Sequence, residues 1–238
     1  DTERSVKLPF TSSFLLPNAA IIDPRMTLTL PPHITAATAM DAMTHATEAF
    51  TCMAKNPLSD AYATAAIKKI SQSLLQVMDN PKDSDGRLEL AQASTMAGIA
   101  FSNSMVGLVH ALGHATGAVC HLPHGLCMSL YLPYALEYNL ETIREPLGEL
   151  LLYLEGPEVF AATPASRRAE ASISAIRKLR DALYKRCQLP RTLKETGKVT
   201  EAQLDHIAEM ALDDGSIMFN PKEVTLEDAR SVLRRAWA

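Results

Sequence analysis

The segment GLVHALGHATGAVCHLPHG, residues 107–125, holds four of the chain's seven histidines and no charged side chain. Its surroundings are equally bare: residues 90–136 contain no Asp, Glu, Lys or Arg. So long an uncharged stretch belongs in the interior, and an imidazole buried there needs a partner. His110 and His114 stand four apart, so on a helix they share one face. Pro123 stops that helix, and His124 follows in the LPHG turn.

Working outward, the chain reads as helix after helix. Thr35 or Thr38 is a candidate cap for a helix running through Asp41 and His45 towards Met53. Ser59 or Asp60 starts another that extends to about Met78, with apolar positions at Ala63, Ile67, Ile70, Leu74 and Val77. Further helices are expected over 87–104, 106–120, 126–136 and 167–187, with a loop over 155–164. Two capping boxes, Thr200 with Gln203 and Thr225 with Asp228, open helices over 201–212 and 226–237. Residues 5–8 and 19–23 read instead as two short strands. Two strands make no stable sheet alone, so they must dock on the helices or pair with something outside this chain. The division is a short β segment over 1–30 and a helical domain over 31–238.

Composition excludes several classes. The 238 residues carry a net charge of −4, with basic residues scattered, so there is no footprint for nucleic acid and none for an anionic membrane. The uncharged stretch is long enough to span a bilayer, but Ser, Thr, Asn, Gln, His and Pro interrupt it, and no membrane span is expected. Cys52, Cys120, Cys127 and Cys187 form no CxxC pair. They read as reduced thiols of a cytoplasmic protein.

The chemistry sits in two i/i+4 pairs, Asp41 with His45 and His110 with His114, supplemented by His121 and His124. Three or four His and carboxylate groups converging on one point suit a divalent first-row metal. HALGH lacks the Glu that would make it a zinc-protease motif. No Glu-x-x-His motif supports a di-iron carboxylate bundle, and no His-Asp dipeptide supports a helical phosphohydrolase. A mononuclear Asp/His₃ site remains, with an open position where the metal could act as a Lewis acid on an alcohol or carbonyl oxygen. Glycines 98, 107, 113 and 117 are candidates for close helix approach. His33 and His206 read as ordinary surface or core histidines.

The stretches DPRMTLTLPPHITAATAMDAMTHATEAF (23–50), AGIAFSNSMVGLVHALGHATGAVCHLPHG (97–125) and LPYALEYN (132–139) resemble the iron-containing (group III) alcohol dehydrogenase family. A weaker likeness runs through 187–197 and 207–236, and the part around 141–172 diverges. The resemblance implies a mainly α, helical-bundle-like C-terminal domain of the dehydroquinate-synthase-like fold. It implies metal ligands Asp41, His45, His110 and His124, holding Fe2+ or Zn2+. It places His114 beside metal and nicotinamide as a catalytic and cofactor-contacting residue. It sets Phe101 and Asn103 near the same pocket, with His121 in a supporting or structural position.

The family also has an N-terminal α/β half that binds most of NAD or NADP through a glycine-rich turn, and no G-x-G-x-x-G occurs in this sequence. We therefore expect the metal-binding half of an NAD(P)-linked dehydrogenase acting on a small alcohol or carbonyl. It should be inactive without the nucleotide-binding half. It should also bare an apolar face that favours self-association into a homo-oligomer. Two rivals come from other classes. One is a hydrolase with metal-activated water, for which His114 or Glu48 would have to be the base. The other is a non-catalytic helical module whose histidines are structural.

Overall fold

The computed structural model describes residues 12–238. Ten α-helices follow one another: α1 (Pro32–Thr51), α2 (Pro57–Asp79), α3 (Ser84–Ser102), α4 (Leu108–Cys120), α5 (His124–Glu149), α6 (Leu151–Glu155), α7 (Pro157–Ala162), α8 (Arg168–Cys187), α9 (Leu204–Leu212) and α10 (Leu226–Trp237). No strand occurs among the described residues.

The expected strand at 19–23 is therefore corrected. Residues 19–22 are exposed with no neighbouring strand, and a lone strand has nothing to pair with. Asp23 instead accepts the Arg25 backbone N–H at 2.9 Å and starts a 3₁₀ turn, Pro24–Thr27. The expected strand at 5–8 lies outside the described residues.

α1 is the central element. It packs against α2, α3 and α5, and most of its length is buried. Alanines at 36, 39, 42, 46 and 49 let neighbours approach on several sides. Its buried hydroxyls are satisfied within the helix, Thr44 donating to the Met40 carbonyl at 2.8 Å and Thr47 to Met43 at 2.7 Å. α4 packs on α5 and α9, α8 on α5, and α10 on α9 and α5. One continuous core runs through all of these. Tyr131 of α5 is wholly buried, and its hydroxyl meets Thr116 of α4 at 2.6 Å.

Helix boundaries follow capping chemistry. α2 starts earlier than Ser59 because the Asn56 side chain accepts the N–H groups of Leu58 and Ser59 and Pro57 takes the first helical position. α3 starts at Ser84 because Asp83 caps it. α5 runs well past residue 136, through Pro133, and kinks at Ile143, whose backbone leaves the helical region ahead of Pro146. The expected loop over 155–164 instead contains α7, which Gly156 at φ +90° separates from the end of α6. Thr225 and Asp228 cap each other reciprocally, as the sequence pattern requires.

Two glycines matter to the site. A Cβ on Gly125 would lie 2.4 Å from the Ala37 carbonyl oxygen, so α5 can start against α1 only with glycine there. A Cβ on Gly107 would crowd Asn220 Oδ1 at 3.0 Å and Glu48 Oε1 at 3.3 Å. Gly98 has open space beside it, so its expected role in close packing is not found.

Candidate metal centre

Three helices meet at one point. Asp41 and His45 come from one face of α1, His110 from the first turn of α4, and His124 from the first residue of α5. One ligand-type atom from each lies within 4.8 Å of all the others. Asp41 Oδ1 is 3.3 Å from His124 Nε2 and 3.7 Å from His45 Nδ1. The ring centroids of His45 and His110 are 4.5 Å apart, and those of His110 and His124 are 5.5 Å apart. A tetrahedral site with bonds near ~2.1 Å needs its ligand atoms roughly 3.5 Å apart. The cluster is close to that spacing.

Two atoms test whether the residues suit a cation. His110 Nε2 and Asp41 Oδ1 are both buried without a hydrogen-bond partner. Burying such groups unsatisfied is costly, and a cation would satisfy both. His110 Nδ1 is 2.5 Å from Glu48 Oε2. A carboxylate only accepts, so Nδ1 carries the proton, and the lone pair is left on Nε2, the orphaned atom. The other Glu48 oxygen accepts the Val109 N–H at 2.7 Å. Gly107, the N-cap of α4, has no side chain to cap with. Glu48 and Asn220, which accepts the Leu108 N–H at 3.2 Å, do that work from far along the chain.

The electrostatics favour ligand-ready forms. Burial holds the His45 imidazole down at about 3, helped by the neighbouring His110 and opposed by Asp41. His45 is therefore neutral, as a ligand must be. Burial alone would raise the Asp41 carboxyl. The close approach of His124 and the electrostatic pull of the other histidines outweigh it, and the group lies below its ordinary range.

His114, one turn beyond His110, stacks on His124 with centroids 5.2 Å apart, and its Nδ1 meets Asp214 Oδ2 at 2.8 Å. Burial would raise the Asp214 carboxyl, but its bonds to His114 and Ser216 hold it below its usual range. Phe101 stacks on His45 at 4.3 Å and 19°. Asn103 is exposed at the end of α3 and donates to the Ile99 carbonyl. His121 is exposed outside the cluster and ends α4 in the left-handed region at φ 53°. His33 and His206 are on the surface.

Sequence reasoning did not assign Glu48 its contact with His110, although its spacing of three from His45 places it on the same helical face. Asp214 and Asn220 went unnoticed. Both are distant in sequence, and no local pattern points to the site.

The fold and cluster together define a helical domain with the donor set of a transition-metal site. The chain belongs to the Fe-containing alcohol dehydrogenase family, whose C-terminal model matches residues 35–237. It is 35% identical over 237 residues to alcohol dehydrogenase 4 of Saccharomyces cerevisiae, covering 99% of this chain and 59% of that protein. It is also 35% identical to 1,3-propanediol dehydrogenase of Klebsiella pneumoniae over 237 residues, 100% of this chain and 59% of that one. The crystal structure of a 1,3-propanediol oxidoreductase superposes with a TM-score of 0.85 at 33% identity, covering 90% of this chain and 55% of that chain. The chain thus spans about three fifths of the length of these relatives. No helix among the described residues is long and apolar enough to cross a membrane.

Proposed function

We propose that Asp41, His45, His110 and His124 hold one Fe2+ or Zn2+, and that the chain contributes this centre to an NAD(P)-linked oxidoreductase of small alcohols and their carbonyl products. The observation that carries the reading is the pair of buried, partnerless atoms, His110 Nε2 and Asp41 Oδ1, inside a four-residue cluster. A bound cation supplies Lewis acidity to a substrate oxygen, and NAD(P) takes or gives the hydride. Glu48 orients His110. Asp214 fixes the His114 ring, which makes His114 the residue for proton transfer or for contact with the nicotinamide edge. Phe101 packs the outer side of His45 and offers an apolar contact to the cofactor. Residues 31–238 are the metal-binding domain, and 1–30 lead into it.

The hydrolase alternative loses one of its two candidate bases. Both oxygens of Glu48 are engaged, with His110 and with the Val109 N–H.

Elemental analysis tests the assignment. Anaerobically purified protein should carry about one Fe or Zn per chain, and His110→Ala should lose it. A full complement of metal in His110→Ala would overturn the ligand set. Residues 1–238 alone should show no NAD(P)-linked turnover of alcohols, because hydride transfer needs a bound nucleotide and the chain has no glycine-rich phosphate turn. Measurable turnover by this chain would contradict that part.

A further inference from the structure

Apart from the histidine cluster, the molecule has a second feature in which charge and cavity coincide. A cavity of about 370 Å³ opens between residues 21–30, the first turns of α1 and the N-terminal half of α3. Its volume lies in the range of small-molecule sites. Arg87, only 3% exposed, lines it. The guanidinium donates from Nε to the Pro81 carbonyl at 3.0 Å and from Nη1 to Thr35 Oγ1 at 2.7 Å. Both partners are neutral. Among the described residues its other three N–H groups have no acceptor and no carboxylate pairs with it. Burial depresses its basicity, and no acidic group among the described residues counteracts that.

A guanidinium held only by neutral partners keeps free N–H groups for an incoming anion, and its fork geometry matches a carboxylate or phosphate. One acidic side chain, Asp23, also lines the cavity, but Arg25 already holds it through Nε at 2.9 Å and Nη2 at 2.6 Å. Beyond Arg87 the wall carries the hydroxyls of Thr38 and Thr95 and the apolar side chains of Met26, Leu30 and Leu90.

We propose that this cavity binds an organic monoanion with a short apolar tail, its carboxylate seated on Arg87 and its tail on the apolar wall. The site is separate from the histidine cluster, none of whose residues line it.

The test is calorimetric titration of the chain with hexanoate, and with hexanamide as a neutral match in shape. Hexanoate should bind, and hexanamide should bind at least about tenfold more weakly, because a charge-assisted bond is worth ~1.5–3 kcal/mol. Arg87→Met should weaken hexanoate by about 10- to 100-fold. Ala91→Phe fills the cavity from α3 and leaves both Arg87 hydrogen bonds in place, and it should abolish binding. That variant decides the matter alone if Arg87→Met does not fold. Absence of hexanoate binding to the wild type, equal binding of hexanamide, or unchanged affinity in Ala91→Phe would each overturn the proposal.

Discussion

Glu48 couples two tasks in one buried carboxylate. One oxygen closes the N-terminus of α4 and the other fixes the tautomer of His110. Glu48→Gln keeps an acceptor for the Val109 N–H but loses the charge that holds the His110 proton. Substitutions of this kind behind a metal ligand cost about 10- to 100-fold in affinity. We expect that loss in a chelator competition, with Fe2+ or Zn2+ and unchanged helical circular dichroism. An affinity equal to wild type would show that Glu48 serves only the helix end.

Among the elements, the contact between α1 and α5 depends on a residue with no side chain. In Gly125→Ala the new methyl would meet the backbone of Ala37, which cannot swing away. We expect a loss of about 1–3 kcal/mol in denaturant unfolding, together with displacement of His124 next door. Gly98→Ala should do the reverse. It sits inside α3 with nothing within 4 Å of the new Cβ, and should gain about 0.5–1 kcal/mol from helix propensity. The same assay on the two variants should give opposite signs. If Gly125→Ala proves neutral, the start of α5 is not held against α1 in the way the geometry requires.

At the scale of the whole molecule, the histidine cluster ties stability to both metal and pH. Four residues from three helices converge on one point, so a cation bound there would hold α1, α4 and α5 together, and chelation should lower the melting temperature. In the metal-free protein, His45 resists protonation down to about 3, whereas in the unfolded chain it accepts a proton near 6.5. Below pH 6.5 the unfolded state therefore binds a proton that the folded state refuses. Stability from this group is complete above about 6.5 and is lost progressively as the pH falls towards 3. The lowered Asp41 carboxyl adds to the loss at the acid end of the range. Chelated protein unfolded by urea across this range should weaken steadily with acid. A midpoint that is flat from pH 7 to 4 would exclude a buried neutral His45. The exposed apolar side chains Phe14, Leu15, Leu16, Ile21 and Met26 all belong to the segment leading into α1, and Met53, Leu58 and Met218 are exposed elsewhere.

Much of this protein was legible in its sequence because the signals are local. Helical periodicity and the capping residues Thr200 and Thr225 placed most helix starts to within a few residues, since caps act within one turn, whereas the far end of α5 and the helix α7 escaped the sequence reading. The i/i+4 spacing of Asp41 with His45, and the position of His124 after Pro123, rest on the geometry of single helices and turns. Tertiary structure decided whatever depends on chain segments far apart. Asp214 reaches His114 across a hundred residues, and Asn220 caps α4 from the far end of the chain, because a bare Gly107 leaves its amides to be satisfied by whatever packs there. The 19–23 segment carries strand-like residues and forms no strand, because a strand exists only through the neighbour it pairs with. Arg87 had no sequence signature at all: its importance comes from the cavity it faces and from having no carboxylate beside it among the described residues.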